Sequence, residues 1–213
     1  MTPALALEQV MLHPDYHQLV EHLRAHAPAG LVDQADAAAD DALQLMAAAA
    51  RHAGADHIRA AAPADIPDWV RLPLLDTVTA WAAGQAATCR HQPTPGRPQP
   101  VLAAAWRPRL VVCAACTHLT ALAPGSDPDR TCDRCGRICA GVEHGDGIHP
   151  GIVQLGPLVY QYGTCGDCQP HPGPPSATHT PEQQHPGGTG RGRPRGGRGR
   201  GRGRGTRQGR KNR

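Results

Sequence analysis

The sequence predicts an α+β protein with a small N-terminal helical bundle, a cysteine-rich domain with short antiparallel strands, and a disordered basic C-terminal tail. Three observations support this. Apolar residues recur at helical spacing in the first 88 residues, short apolar runs flank paired cysteines between residues 89 and 168, and proline, glycine and arginine dominate from residue 169 onward. We therefore expect three domains, at residues 1–88, 89–168 and 169–213.

The first domain contains three predicted helices. Around Pro14, which suits a first helical turn, apolar side chains follow at i, i+3, i+4 and i+7, namely Tyr16, Leu19, Val20 and Leu23. A second helix is expected to begin near Asp33 and to end around Gly54. A third covers Leu74 to Ala82 after a proline-rich entry that ends at Pro73. Four histidines near the first helix, at positions 13, 17, 22 and 26, are interpreted as a solvated polar face rather than a metal site.

The strands are expected in two pairs. Val101 to Trp106 and Leu110 to Cys113 form one pair of apolar runs, separated by Arg107-Pro108-Arg109. Gly151 to Gly156 and Leu158 to Tyr162 are predicted to form a hairpin around Gly156-Pro157.

Charge is distributed unevenly along the chain. Residues 187–213 contain ten Arg, one Lys and no acidic residue, whereas residues 1–186 contain eleven basic and eighteen acidic side chains. The net charge of +4 therefore conceals a body at −7 and a tail at +11. The N-terminus lacks the basic region of a signal peptide, and no apolar stretch approaches a membrane span, so we expect a cytoplasmic protein without a membrane contact.

Two cysteine pairs carry the strongest chemical signal. Cys113-Ala-Ala-Cys116 and Cys132-Asp-Arg-Cys135 are separated by fifteen residues, a spacing typical of zinc sites. Cytoplasmic thiols stay reduced, so metal binding is favoured over disulfides. Four thiolates suit a structural, tetrahedral zinc ion, and the pattern indicates a zinc-ribbon-like domain.

A second zinc ion follows from the remaining ligands. The third pair is Cys165-Gly-Asp-Cys168, and Cys89-Arg-His91 supplies the missing half of a second site. One arrangement puts the 113/116 and 132/135 pairs on one zinc and Cys89, His91, Cys165 and Cys168 on the other. An interleaved arrangement, in which the 113/116 pair meets the 165/168 pair, is equally compatible with the sequence.

Three further residues are weaker candidates for these sites. Cys139 is expected to be a small buried side chain, although it could replace His91, and His118 and His144 are reserve ligands. An iron–sulfur cluster is the less favoured alternative to zinc. Sites saturated by cysteine are poor at acidifying water, and the sequence lacks the deaminase, metalloprotease and phosphate-loop motifs. We expect no catalytic residues and no enzymatic activity.

The tail is expected to bind nucleic acid. Arginine can contact phosphates, stack on bases and enter narrow grooves, and the intervening glycines prevent a packed core. Arg191-Gly192-Arg193-Pro194-Arg195 resembles the core of an AT-hook, which implies that Arg191 and Arg193 enter the minor groove of A/T-rich DNA. The Arg-Gly repeats that follow also resemble RGG-type RNA-binding tails; their arginines are Arg198, Arg200, Arg202 and Arg204.

The cysteine-rich region also resembles a known group of sequences. The combination of Cys89-Arg-His91, the paired cysteines and Gly145-Asp-Gly147 is similar to uncharacterised zinc-ribbon-like proteins of actinobacteria, over roughly residues 85–170. The resemblance implies a bound metal and a bacterial source, and it implies no particular activity.

The expected function is that of a zinc-binding, nucleic-acid-associated protein without enzymatic activity. Its tail would bind DNA or RNA electrostatically, its N-terminal helices would bind a protein partner or self-associate, and it would associate with the nucleoid or the ribosome. The alternative is a protein–protein adaptor with structural zinc, in which the tail serves only for localisation.

Overall fold

The protein is described by a computed structural model that covers residues 1–52, 58 and 60–169. The described residues fall in one compact unit with α+β architecture, as predicted. The helices are α1 (Pro3–Met11), α2 (Tyr16–His26), α3 (Ala29–His52), α4 (Asp68–Ala82) and α5 (Asp127–Arg130). The strands are β1 (Ala87–Thr88), β2 (Val101–Ala104), β3 (Arg107–Cys113), β4 (His149–Leu155) and β5 (Leu158–Thr164). The predicted disorder of the tail lies outside the described residues.

The helices differ from the prediction in their boundaries. α1 was not foreseen; Thr2 caps it by accepting a hydrogen bond from the backbone N–H of Leu5 at 3.3 Å, and Pro3 follows in the first turn. α3 begins four residues earlier than predicted. α4 begins at Asp68 and runs through Pro73, which was expected to precede it. The expected end of the second helix, at Gly54, lies outside the described residues.

The five strands form one mixed sheet in the order β1-β3-β2-β5-β4. Both predicted strand pairs form antiparallel hairpins, β2 with β3 and β4 with β5. The predicted connector Arg107-Pro108-Arg109 was wrong, because these residues already belong to β3 and the turn consists of residues 105 and 106. The expectation of antiparallel strands alone is incomplete, because β2 pairs with β5 in parallel, from Val101 opposite Leu158 to Ala104 opposite Gln161. β1 also pairs with β3 in parallel. The parallel β2–β5 ladder joins the two hairpins into one sheet.

Helix α4 covers one face of the sheet. Its side chains Val70, Leu74 and Trp81 pack against residues of β2, β3 and β5 that point to this face. These strand residues are Val101, Ala103, Val111, Leu158 and Tyr160. The neighbouring strand residues Leu102 and Val112 belong to a different cluster. This is expected because successive side chains of a β-strand point to opposite faces of the sheet.

Helix α3 covers the opposite face. Ala42 is completely buried among Leu102, Val112 and Val159, and the side-chain amide of Gln154 in β4 donates to the carbonyl oxygen of Ala39 at 2.7 Å. Alanine allows the helix to approach the sheet closely. Helices from residues 1–88 and strands from residues 89–168 therefore contribute to the same core.

The two N-terminal helices differ in how much they bury. α1 packs on α4 through Ala4, Met11 and Leu75, and Arg71 of α4 donates to the carboxylate of Glu8 at 2.8 Å. α2 buries none of its residues, and Leu19 and Leu23 of its predicted apolar stripe are exposed.

Candidate metal centres

The first candidate centre is formed by Cys89, His91, Cys113 and Cys116, whose ligand atoms all lie within 4.8 Å of one another. Cys89 directly follows β1, and Cys113 is the last residue of β3. The parallel pairing of these two strands brings both residues to the same end of the sheet. A 3-10 turn over Ala114–Leu119 then carries Cys116 back to the site.

The second candidate centre is formed by Cys132, Cys135, Cys165 and Cys168, again within 4.8 Å. Cys165 follows β5, and the 3-10 turn Gly166–Cys168 returns the second thiol. Across the site, the backbone N–H of Gly136, with φ at +73°, donates to the carbonyl oxygen of Cys132 at 2.8 Å. Glycine suits this left-handed position, so the Cys132 turn is closed tightly around its two thiols.

Asp133 joins the two halves of the second centre. Asp133 donates its backbone N–H to the carbonyl oxygen of Gly163 at 2.9 Å and accepts the Gly163 N–H on its carboxylate at 2.6 Å. These two hydrogen bonds hold the turn that starts at Cys132 against the end of β5.

The distances in both centres fit a tetrahedral zinc ion. Zinc–sulfur bonds of about 2.3 Å place two sulfurs of a tetrahedron about 3.8 Å apart. The Sγ atoms of Cys89 and Cys113 are 3.7 Å apart, and those of Cys135 and Cys165 are 3.9 Å apart. In the first centre Nδ1 of His91 lies 3.2 Å from Sγ of Cys113 and 3.3 Å from Sγ of Cys116. The Cys₃His and Cys₄ ligand sets each fit one metal ion.

The electrostatics of the thiols also favour a bound cation. Burial raises the pKa of the Cys132 thiol, but backbone N–H groups of Cys165, Cys135 and Arg134 outweigh it and lower this pKa to about 6. In the same centre burial and the neighbouring cysteines raise the pKa of Cys168 to about 12. The first centre shows the same contrast. Burial raises the pKa of the Cys89 thiol, but backbone hydrogen bonds outweigh this effect and the pKa is lowered overall. At Cys116, burial and the other thiols raise the pKa to about 11. The three thiols of the first centre and the four of the second are too close to ionise together unless a cation balances them.

The pairing of the ligands differs from both arrangements considered from the sequence. The 113/116 pair meets Cys89 and His91, and the 132/135 pair meets the 165/168 pair. The spacing between the 113/116 and 132/135 pairs therefore does not indicate that they bind one zinc ion, as a zinc ribbon would require. The two pairs belong to different strand hairpins, and hydrogen bonds between strands, which sequence spacing does not reveal, decide which cysteines meet.

The two centres are built from a repeated unit that the sequence reasoning missed. Each unit runs from one ligand pair through a hairpin with a two-residue turn to a Cys-x-x-Cys pair at the end of the second strand, over residues 89–116 and 132–168. In each unit the second ligand, His91 or Cys135, is exposed and the other three are buried. The shared order of ligand pair, hairpin and ligand pair was the signal available in the sequence.

The weaker candidates lie outside both ligand sets. Cys139 is 1% exposed and packs against Cys132, Cys165 and Cys168, which confirms its interpretation as a small buried side chain. His118 and His144 are exposed, and His144 lies 3.3 Å from the carboxylate of Glu143. Among the described residues, none of the four N-terminal histidines belongs to a metal-binding group.

The nucleic-acid-binding residues predicted at 191–195, 198, 200, 202 and 204 lie outside the described residues. None of the helices in the described part of the chain is long and apolar enough to cross a membrane. No protein-family model, no curated protein and no solved structure matches this chain. The ligand groups are therefore interpreted from their own chemistry.

Proposed function

We propose that this is a non-enzymatic, cytoplasmic protein in which two structural zinc ions hold a compact body together and the arginine-rich tail binds DNA or RNA. The zinc assignment is supported by the ligand sets, three thiolates with one imidazole and four thiolates, which are typical of structural zinc. Such a site has no open position for a water molecule, so its metal serves folding rather than catalysis.

The observation that carries the nucleic-acid proposal is the charge of the tail. Eleven positive charges and no negative one lie within residues 187–213, and ten of the eleven are arginines. Solubility alone gives no reason to prefer arginine over lysine, whereas arginine binds phosphates in a fork, stacks on bases and enters narrow grooves. Counterion release then makes the affinity fall steeply with salt.

The choice between DNA and RNA depends on which part of the tail makes the contacts. If Arg191 and Arg193 act as in an AT-hook, with Gly192 at the groove floor and Pro194 redirecting the chain, A/T-rich duplexes bind best. If the Arg-Gly units at Arg198 to Arg204 dominate, single-stranded RNA competes equally well.

The test measures binding of A/T-rich duplex, G/C-rich duplex and single-stranded RNA across a salt series. The full-length protein is compared with a variant in which the ten tail arginines are glutamine and with one in which they are lysine. We expect the glutamine variant to lose binding and the lysine variant to keep the salt dependence with reduced affinity. If neither the wild type nor the lysine variant binds any of the three nucleic acids, the proposal is wrong.

The second candidate function is a protein–protein adaptor, and the acidic residues near the second centre favour it. Asp127 and Asp129 in α5 are exposed, and Asp133 follows the first ligand of the centre. Carboxylates at this position repel phosphate, so this part of the body is suited to a protein partner rather than to nucleic acid. Nucleic-acid binding that survives in the glutamine variant would contradict this division of roles.

A further inference from the structure

Cys135 is exposed to solvent, whereas the other seven cysteines of the chain are buried. It belongs to the second centre, where its Sγ and those of Cys132, Cys165 and Cys168 all lie within 4.8 Å of one another. A cysteine binds a metal ion as a thiolate, and the thiolate is also the nucleophilic form of the side chain. Oxidation of cysteine depends on thiolate character and on exposure. The second centre therefore presents a reactive sulfur atom to solvent.

The first centre presents an imidazole at the equivalent position. Its exposed ligand is His91, whose Nδ1 lies 3.2 Å from Sγ of Cys113 and 3.3 Å from Sγ of Cys116. The three sulfur atoms of this centre belong to buried residues. An imidazole does not undergo the oxidation by which a peroxide converts a thiolate to a sulfenic acid. The two centres thus have similar ligand geometry and differ in whether a sulfur atom is exposed.

A second thiol lies within reach of Cys135. The Sγ atoms of Cys135 and Cys165 are 3.9 Å apart, and because a disulfide bond is about 2.05 Å long, they need to approach by about 2 Å. Cys165 is 1% exposed, so its side chain is shielded from direct attack by an oxidant in solution. The pair therefore combines one thiol that an oxidant can reach with one that can react with the oxidised product.

Hydrogen bonds already hold together the two segments that this disulfide would connect. Asp133, in the turn that carries Cys135, donates its backbone N–H to the carbonyl oxygen of Gly163 at 2.9 Å and accepts the Gly163 N–H at 2.6 Å. Gly163 lies in β5, two residues before Cys165. These contacts involve no sulfur atom, so oxidation of the thiols leaves them available. Formation of the disulfide therefore requires little movement of the backbone.

The second centre is also separate from the core of the sheet. Its three buried ligands pack with Cys139 and the partly buried Ile148, whereas the cysteines of the first centre pack with Leu102, Val112 and Val159 under α3. Loss of a metal ion from the second centre would therefore remove few apolar contacts from the sheet. A change at this centre does not require the rest of the molecule to unfold.

We propose that Cys135 is a site of oxidation by hydrogen peroxide, and that its oxidation releases the metal ion of the second centre while the first centre keeps its own. The inference rests on the proposed function, because it requires that both centres hold zinc. It is independent of nucleic-acid binding by the tail.

The reaction joins the two thiolates at the expense of one peroxide molecule. The Cys135 thiolate attacks one oxygen atom of hydrogen peroxide, the O–O bond breaks, a sulfenic acid forms and hydroxide leaves. The Cys165 thiolate then attacks the sulfenic sulfur, forms the S–S bond and displaces a second hydroxide. The two thiolates lose two electrons in total, and the peroxide gains them. Two of the four ligands are thereby lost, and the centre can no longer hold its metal ion.

The test treats the zinc-loaded, full-length protein with hydrogen peroxide and follows released zinc with a chromogenic chelator. We expect one of the two zinc ions per chain to be released at least about tenfold faster than the other, because a single centre exposes a sulfur atom. Peptide mapping by mass spectrometry, after alkylation of the remaining thiols, should show a disulfide between Cys135 and Cys165. Dithiothreitol with added zinc should restore two zinc ions per chain.

Two substitutions exchange the exposed ligands of the centres. Cys135→His removes the exposed sulfur atom and leaves a ligand set like that of the first centre, so neither zinc ion should be released at the fast rate. His91→Cys gives the first centre an exposed thiol, so both zinc ions should be released at the fast rate. His17→Cys, at an exposed position on α2 outside both centres, is the matched control and should behave as the wild type does.

Different results would contradict the inference and the proposed zinc centres. Protein that contains no zinc before treatment contradicts the proposed function. Protein that holds two zinc ions but releases them at equal rates, or that forms a disulfide between Cys132 and Cys135 instead, contradicts the inference. Zinc content is measured in every variant before treatment. If Cys135→His holds a single zinc ion, a release rate in His91→Cys equal to that of His17→Cys contradicts the inference instead.

Discussion

His91 and Cys135 hold equivalent positions in the two centres. Each is the second ligand of its unit, and each is exposed while its three partners are buried. An exposed ligand contributes to the metal site without being needed for the core, so its chemistry can vary between imidazole and thiolate. We infer that the two centres tolerate exchange at this position better than at any buried ligand.

The first prediction concerns that exchange. His91→Cys should keep two zinc ions per chain, because four thiolates also form a tetrahedral site. His91→Ala leaves three ligands and should lose one zinc ion to a competing chelator at a concentration that leaves the wild type intact. Metal analysis after chelator treatment measures both, and His118→Ala, at an exposed histidine outside the ligand sets, is the control. Equal zinc retention in His91→Ala and the wild type would contradict the assignment.

The second prediction concerns a bidentate ion pair between α4 and β3. Arg109 donates to both carboxylate oxygens of Asp76 at 2.8 Å, and this hydrogen bonding, with the attraction of the charges, lowers the pKa of Asp76. A carboxyl group whose pKa is lowered by folding stabilises the native state above its unfolded pKa of about 4. That contribution is lost as the pH falls through the lowered value. Because both side chains are about half exposed, we expect ~0.5 kcal/mol or less.

The measurement for this pair is urea unfolding of the wild type and Asp76→Asn at pH 7 and at successively lower pH. The free energies of unfolding should differ slightly at pH 7 and converge below about pH 4. Asp40→Asn, exposed on α3 without an ion pair among the described residues, is the control. A difference that grows as the pH falls would have the wrong sign for this explanation.

At the scale of elements, α4 contributes most of the apolar packing on its face of the sheet. Leu74 is 1% exposed and lies in the cluster formed with β2, β3 and β5. Leu74→Ala should lower the free energy of unfolding by about 2–5 kcal/mol, because it removes buried methyl groups and leaves a cavity. Leu43→Ala, at a position 45% exposed on α3, should cost much less in the same denaturation experiment. Similar losses in the two variants would mean that α4 does not pack as described.

The elements also show what local sequence can and cannot predict. The strands of β4 and β5 were predicted closely because Gly156-Pro157 marks the turn and the flanking residues favour strands. α4 was predicted too short, because Pro73 was interpreted as a boundary although the helix continues through it. The packing of α2 could not be inferred either, because an apolar stripe does not reveal whether another element covers it.

At the scale of the whole molecule, the sequence predicts which eight residues are ligands but not how they are distributed between the two centres. Six of the ligands were predicted from the Cys-x-x-Cys spacing, which depends only on the geometry of a tight turn, and Cys89 and His91 were added as the missing half of a second site. Their distribution between two centres depends on contacts between residues distant in the chain: the parallel ladder β1–β3 in the first centre and the Asp133–Gly163 hydrogen bonds in the second. The packing of α3 and α4 on opposite faces is equally non-local. The predicted function of the tail requires no knowledge of the fold, because it depends only on the charge of residues 187–213.

We infer a structural role for a metal ion in each of the two centres. Cys89, Cys113 and Cys116 belong to the apolar cluster under α3, and the three buried ligands of the second centre form a cluster of their own with Cys139. With three Trp, three Tyr and no Phe, the chain has few large side chains for a core. A metal ion bound at the ends of β3 and β5 would therefore stabilise the sheet where apolar packing is thin.

The central claim is that each repeated unit closes its own zinc site, and the double variant Cys89→Ser/Cys113→Ser tests it most directly. Both residues belong to the first centre, so the purified protein should retain one zinc ion per chain, as should Cys132→Ser/Cys165→Ser in the second. In both arrangements considered from the sequence, each double substitution would remove one ligand from each site. Retention of one zinc ion per chain in both variants confirms the account, and loss of both ions in folded protein contradicts it.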